Sequence, residues 1–133
     1  MARILLVEDD LRTAATLRKA LERAGHSVAT AGHGGEALLE IKRSKIELVI
    51  ADICMPVVDG IELITEIRRA GQTIKVMAIS GEVDCWKPGG YLRAARAVGA
   101  DQALKKPFSM AVFIEAVDAL LAGTPRASDE GRV

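Results

Sequence analysis

Carboxylates close two apolar runs that lie far apart in this chain. ILLV (4–7) runs into Glu8-Asp9-Asp10, and LVIA (48–51) runs into Asp52. A carboxylate beside a dry sheet is costly to ionise without a partner, so Asp52 calls for a cation or a task. Ser80 ends a further apolar run and Lys105-Lys106-Pro107 follows another, adding a hydroxyl and an ammonium at comparable positions. Carboxylates brought within a few ångströms raise one another's pKa or demand a cation. Mg²⁺ meets that demand: it takes oxygen ligands and commonly bridges carboxylates to a phosphate. With such an ion and a lysine to neutralise charge, an aspartate oxygen can attack phosphorus and form an aspartyl phosphate. Asp52 is the candidate nucleophile because it stands alone on its run. Glu8 and Asp9 crowd each other and suit metal ligation, and Asp10 precedes a helical-period segment that it is placed to cap. Lys106 would supply a point positive charge for a phosphoryl oxygen, and Ser80 a hydrogen bond.

These side chains meet only if the runs that carry them lie side by side. ILLV (4–7), SVATA (27–31), LVIAD (48–52), IKVMAIS (74–80) and DQALK (101–105) are the strand candidates, and helical-period segments alternate with them. Leu11, Ala14, Leu17 and Leu21 recur at helical spacing up to Gly25, which sits where a C-cap glycine belongs. Leu38 and Ile41 mark a second helix, and Ile61, Ile64 and Ile67 a third. In the last, Ser109 is the predicted N-cap and Phe113, Ile114, Val117 and Leu121 share a face. Alternating strands and helices predict an α/β fold, (βα)5 and doubly wound, around a parallel five-stranded sheet. SVATA mixes polar with apolar as an edge strand would, and LVIA is apolar throughout as a central strand should be, which favours the order 2-1-3-4-5. Ligands of such sheets bind where strand order reverses, outside the carboxyl ends of strands one and three.

The 133 residues are enough for one domain with a core, predicted over 1–121, and the small, polar segment 122–133 reads as a flexible tail. Eighteen basic and 18 acidic side chains cancel, so neither nucleic acid nor a membrane surface is expected as the main partner. MARILLVEDD reads as neither a signal peptide nor a membrane anchor, which makes the cytoplasm the expected location. Cys54 and Cys85 form no C-x-x-C pair and are expected to be reduced and structural. His26 and His33 fall in loop or edge positions away from the acidic cluster, and AGHGGEAL lacks the G-x-G-x-x-G spacing of a dinucleotide site.

VEDD (7–10), D-I-C-M-P-x-x-D-G (52–60), AIS (78–80) and KKPF (105–108), in that order and each at a strand end, resemble the receiver domain of two-component response regulators over about residues 2–121. The resemblance implies a flavodoxin-like fold and shares the strand order by analogy. It implies that Asp52 accepts a phosphoryl group from a histidine kinase or histidine phosphotransferase. Glu8, Asp9 and Asp52 would hold Mg²⁺ with the backbone carbonyl of Cys54, Lys106 would pair with the phosphoryl group, and Ser80 would move to bond it. The Lys106–Pro107 peptide is expected to be cis, and Pro56 to fix a turn ahead of a helix at Gly60. Such a chain is a phosphoacceptor switch rather than an enzyme, promoting only its own phosphorylation and dephosphorylation. It signals by protein contact through the helix 4–strand 5–helix 5 face. Ala103 stands where the family usually has an aromatic residue or His, so the 81–92 segment and the helix after it are expected to convey the signal. Cys54 and Glu82 would flank the attacking water. A binding adaptor that works without phosphorylation is the alternative. More remote is a Mg²⁺-dependent phosphohydrolase, which wants a second Asp where this chain has Cys54.

Overall fold

The structure, a computed structural model, describes residues 2–53, 60–70, 73–80 and 96–123. In chain order the elements are β1 (Arg3–Val7), α1 (Leu11–Arg23), β2 (Ser27–Ala31), α2 (Gly34–Arg43), β3 (Leu48–Asp52), α3 (Gly60–Arg69), β4 (Lys75–Ser80), β5 (Gln102–Lys105) and α4 (Met110–Leu121). All strand pairs are parallel, and the order is β2-β1-β3-β4-β5. This is the predicted flavodoxin-like arrangement, with SVATA on an edge and LVIAD in the centre, every residue of the latter buried.

Successive strand residues point to opposite faces, and two cores follow from that alternation. Leu5, Val7, Val49, Ala51, Val76 and Ala78 face one layer, which α2 and α3 close with Ala37, Leu63, Ile64 and Ile67. Ile4, Leu6, Leu48, Ile50, Met77 and Ile79 face the other, closed by α1 and α4 through Leu17, Leu21, Phe113 and Val117. Leu11 departs from its predicted place on the buried face of α1: it is 83% exposed. It is the first residue of the helix, and at about 100° per residue it stands roughly 90° around from the face of Ala14, Leu17 and Leu21.

Helix ends match the local chemistry. Gly25 takes φ 97° just beyond α1, a left-handed conformation that glycine adopts without strain. Ser109 caps α4 by accepting the Val112 N–H at 3.1 Å. His33 caps α2: its Nδ1 accepts the Gly35 and Glu36 N–H groups at 3.1 and 3.4 Å, and Glu36 accepts the Gly32 N–H. AGHGGEAL is therefore a helix start. At the end of the sheet away from the strand carboxyl termini, Arg68 of α3 donates to the Gly99 and Ile74 carbonyls and pairs with Asp101 at 2.8 Å. Asp101 also accepts the Val76 N–H, so one ion pair ties α3 to the starts of β4 and β5.

The expectations for Cys54, Pro56, Glu82 and Cys85, for the 81–92 segment with its following helix, and for residues 124–133 of the tail lie outside the described residues. No helix among the described residues is long and apolar enough to cross a membrane.

Candidate functional site

Strand register positions the acidic residues. Val7 lies opposite Ala51 across β1 and β3, so the next residues, Glu8 and Asp52, leave the sheet side by side. Ser80 lies opposite Lys105 across β4 and β5, and the Lys106 N–H donates to the Ser80 carbonyl at 2.8 Å. Lys106 is thereby held at the same end of the sheet as Asp52. The Lys106–Pro107 peptide is cis. Glu8, Asp52 and Ser80 are buried, Asp9 is exposed, and Lys106 is partly covered.

One carboxylate oxygen from each of Glu8, Asp9 and Asp52 lies within 4.8 Å of the others. Lys106 Nζ is 3.4 Å from Glu8 Oε1 and 3.4 Å from Asp52 Oδ2. The structure thus gathers Glu8, Asp9, Asp52 and Lys106 together, and Ser80 closes β4 at the same end of the sheet; Cys54 lies outside the described residues. Both contacts are longer than the roughly 2.7–2.9 Å of a tight charge-assisted bond, so the ammonium bridges the two acids without clamping either.

Three carboxylates facing one ammonium leave the pocket short of positive charge. Burial, and then the Asp52 carboxylate beside it, push Glu8 up from 4.5 to about 7, while Lys106 and the Asp10 N–H on Glu8 Oε2 at 3.2 Å pull the other way. For Lys106, burial works against the ammonium, but Asp52 and Glu8 outweigh it and raise the pKa. An all-oxygen donor set, partly buried and with more negative than positive charge, fits a hard divalent cation.

Asp10 stands at the N-cap position of α1, with extended backbone, and its carbonyl accepts the Ala14 N–H at 2.9 Å. Its carboxylate makes no cap bond to a backbone amide. It accepts the Thr13 hydroxyl, which lowers its pKa. Asp10 thus serves the site through its own backbone N–H, which holds Glu8, a role that sequence reading missed. The signal was present: the segment D-L-R-T (10–13) opens a helix directly after the acidic pair. Ala103 of β5 lies opposite Ala78 of β4, methyl against methyl.

Comparisons with known proteins agree with the fold. A family model described as "Response regulator receiver domain" matches residues 4–118. The chain is similar to Transcriptional regulatory protein PrrA of Mycobacterium tuberculosis, 35% identical over 119 residues that cover 90% of this chain and 49% of that protein. It is also similar to Response regulator MprA of Mycobacterium leprae, 32% identical over 122 residues covering 92% and 52%. The chain spans about half the length of the curated relatives it matches. Among solved structures, the Francisella response regulator 1452 receiver domain superposes with a TM-score of 0.83 at 27% identity, covering 93% of this chain and 99% of that one. A putative response regulator from Chloroflexus aurantiacus gives 0.82 at 28% identity, covering 91% and 98%.

Proposed function

The chain belongs to the response regulator receiver domain family, and from that premise we propose that it is a phosphoacceptor switch that works through Asp52. The observation that carries this reading is the convergence of Glu8, Asp9 and Asp52 oxygens within 4.8 Å of one another beside the Lys106 ammonium. An Asp52 oxygen bonds to phosphorus as the bond from phosphorus to a donor imidazole nitrogen breaks. The electron pair leaves with that nitrogen, which takes up a proton. Lys106 lies within reach of an oxygen on the transferred group, and Ser80 stands at the strand end where its hydroxyl can bond another. Glu8, Asp9 and Asp52, with the Cys54 carbonyl as a proposed further ligand, would hold Mg²⁺, which neutralises charge on the phosphoryl group when bound.

The donor is a histidine kinase or histidine phosphotransferase, and the output is protein contact through β5 and the helices beside it. The phosphoacceptor unit comprises residues 1–121 and works in the cytoplasm. The mycobacterial relatives named as a transcriptional regulatory protein and a response regulator extend well beyond the span of this chain.

Incubation with Mg²⁺ and acetyl phosphate, followed by intact mass measurement, tests the proposal. One acid-stable, base-labile phosphoryl adduct is expected, absent from Asp52→Asn and from samples treated with EDTA. No adduct in the unaltered chain would favour a phosphorylation-independent adaptor. Rapid turnover of generic phosphomonoesters would favour a hydrolase.

A further inference from the structure

Phosphoryl transfer gives tasks to Glu8, Asp9 and Asp52 but leaves the carboxylate of Asp10 without one. Four acids stand at the ends of β1 and β3, three of them consecutive, yet the converging oxygens belong to Glu8, Asp9 and Asp52 alone. Distance does not account for the omission. The Asp10 N–H lies 3.2 Å from Glu8 Oε2, and an aspartate carboxyl is a single methylene away from its own backbone. Rotation about one side-chain bond therefore decides whether this carboxylate points along α1 or turns toward Glu8. Its charge is within electrostatic reach of the pocket: the Thr13 hydroxyl does most to lower the Asp10 pKa, and the Lys106 ammonium adds to that lowering.

Thr13 settles which way the side chain turns. Aspartate at an N-cap ordinarily accepts an amide N–H of the first helical turn. Asp10 makes no such bond, and its Oδ2 accepts the Thr13 hydroxyl instead. Thr13 is the third residue of α1, and the next turn is fixed to the core through the buried Ala14 and Leu17. An exposed carboxylate is thus tied to a helix whose position the core sets.

Ligand number separates the hard cations. Mg²⁺ is commonly held by one or two carboxylates and keeps several waters, whereas Ca²⁺ takes about six to eight oxygens and tightens as carboxylates are added. A fourth carboxylate in this pocket would therefore favour Ca²⁺. We infer that Thr13 determines metal specificity: by tethering Asp10 to α1, its hydroxyl keeps a fourth carboxylate out of the Glu8–Asp9–Asp52 site and so favours Mg²⁺ over Ca²⁺. The inference rests on the metal role proposed for those three residues. Thr13 is a positioning residue, acting through Asp10 and touching neither the ion nor the phosphoryl group.

The test is calorimetric titration of the whole chain with magnesium chloride and with calcium chloride, joined to carboxyl ¹³C NMR of Asp10. Valine matches threonine in shape and lacks the hydroxyl, so Thr13→Val should tighten Ca²⁺ relative to Mg²⁺ by about fivefold or more. The Asp10 carboxyl resonance should shift on adding Ca²⁺ to that variant and stay in place in the parent chain. Thr13→Ser keeps the hydroxyl and should keep the parent ratio. Thr13→Val combined with Asp10→Ser should return to the parent ratio, since serine retains the backbone N–H on Glu8 and removes the fourth carboxylate. An unaltered ratio in Thr13→Val, or an altered one that survives Asp10→Ser, would overturn the inference and leave the phosphoacceptor reading standing. Failure of both ions to bind the parent chain and every variant would overturn the metal site and the inference together.

Discussion

Replacing Glu8 by Gln removes the carboxyl whose ionisation the fold opposes most strongly among the described residues. Its pKa stands at about 7 against an ordinary 4.5, chiefly through burial and the neighbouring Asp52. A displacement of that size corresponds to about 3 kcal/mol, at roughly 1.4 kcal/mol per pH unit. Because the folded-state pKa is raised, the penalty is absent below 4.5, grows as pH rises, and is complete above about 7. Lys106 is also raised, but its contribution is intact below the ordinary lysine range and is lost only at alkaline pH, so it leaves the neutral window unaffected. Against a typical domain stability of roughly 5–15 kcal/mol the Glu8 penalty is large. Urea unfolding of both proteins in EDTA, followed by circular dichroism from pH 5 to pH 8, isolates it. Glu8→Gln should gain about 2–3 kcal/mol over the parent chain between the two ends of that range. Mg²⁺ should restore stability to the parent, by about 1.4 kcal/mol at tenfold excess over its dissociation constant, more at pH 8 than at pH 5. Parallel pH profiles for the two proteins would refute the reasoning.

Lys106→Met leaves Glu8 and Asp52 without the ammonium between them, so carboxyl NMR titration should place Glu8 higher still, and adduct formation with acetyl phosphate should slow by about tenfold or more. Arg68→Ala strips two carbonyls and Asp101 of their shared donor at a partly buried position, which should cost about 2–4 kcal/mol in urea unfolding while leaving adduct formation intact. Gly99→Ala should also destabilise, since its φ is +124° and the added Cβ would meet Arg68 Cγ at 2.7 Å. His33→Ala removes the α2 cap and should cost about 1 kcal/mol, whereas His33→Asp should be tolerated, as thermal unfolding will show.

What sequence reading could recover divides along a physical line. The site was legible because it depends on register: an apolar run that ends in a carboxylate fixes where the strand ends, and parallel pairing of Val7 with Ala51 then sets Glu8 beside Asp52. Buried faces were legible where a full helical turn lies on each side, as at Leu17, Ile64 and Val117. Leu11 recurs at helical spacing yet is exposed, because at about 100° per residue it stands roughly 90° around the helix from the buried face of Ala14, Leu17 and Leu21. The Arg68 network escaped for another reason. Its partners lie 6 to 33 residues away, on backbone carbonyls that carry no sequence signal and on an Asp101 that reads as an ordinary strand-start residue. The same limit bears on how occupancy of the pocket is reported to a partner. Ala103 and Ala78 face each other across β4 and β5, and neither side chain has a rotamer to change. Among the described residues, Lys106 couples to the pocket through its N–H on the Ser80 carbonyl and its ammonium on Glu8 and Asp52, and the Asp10 N–H at the start of α1 couples to it through Glu8.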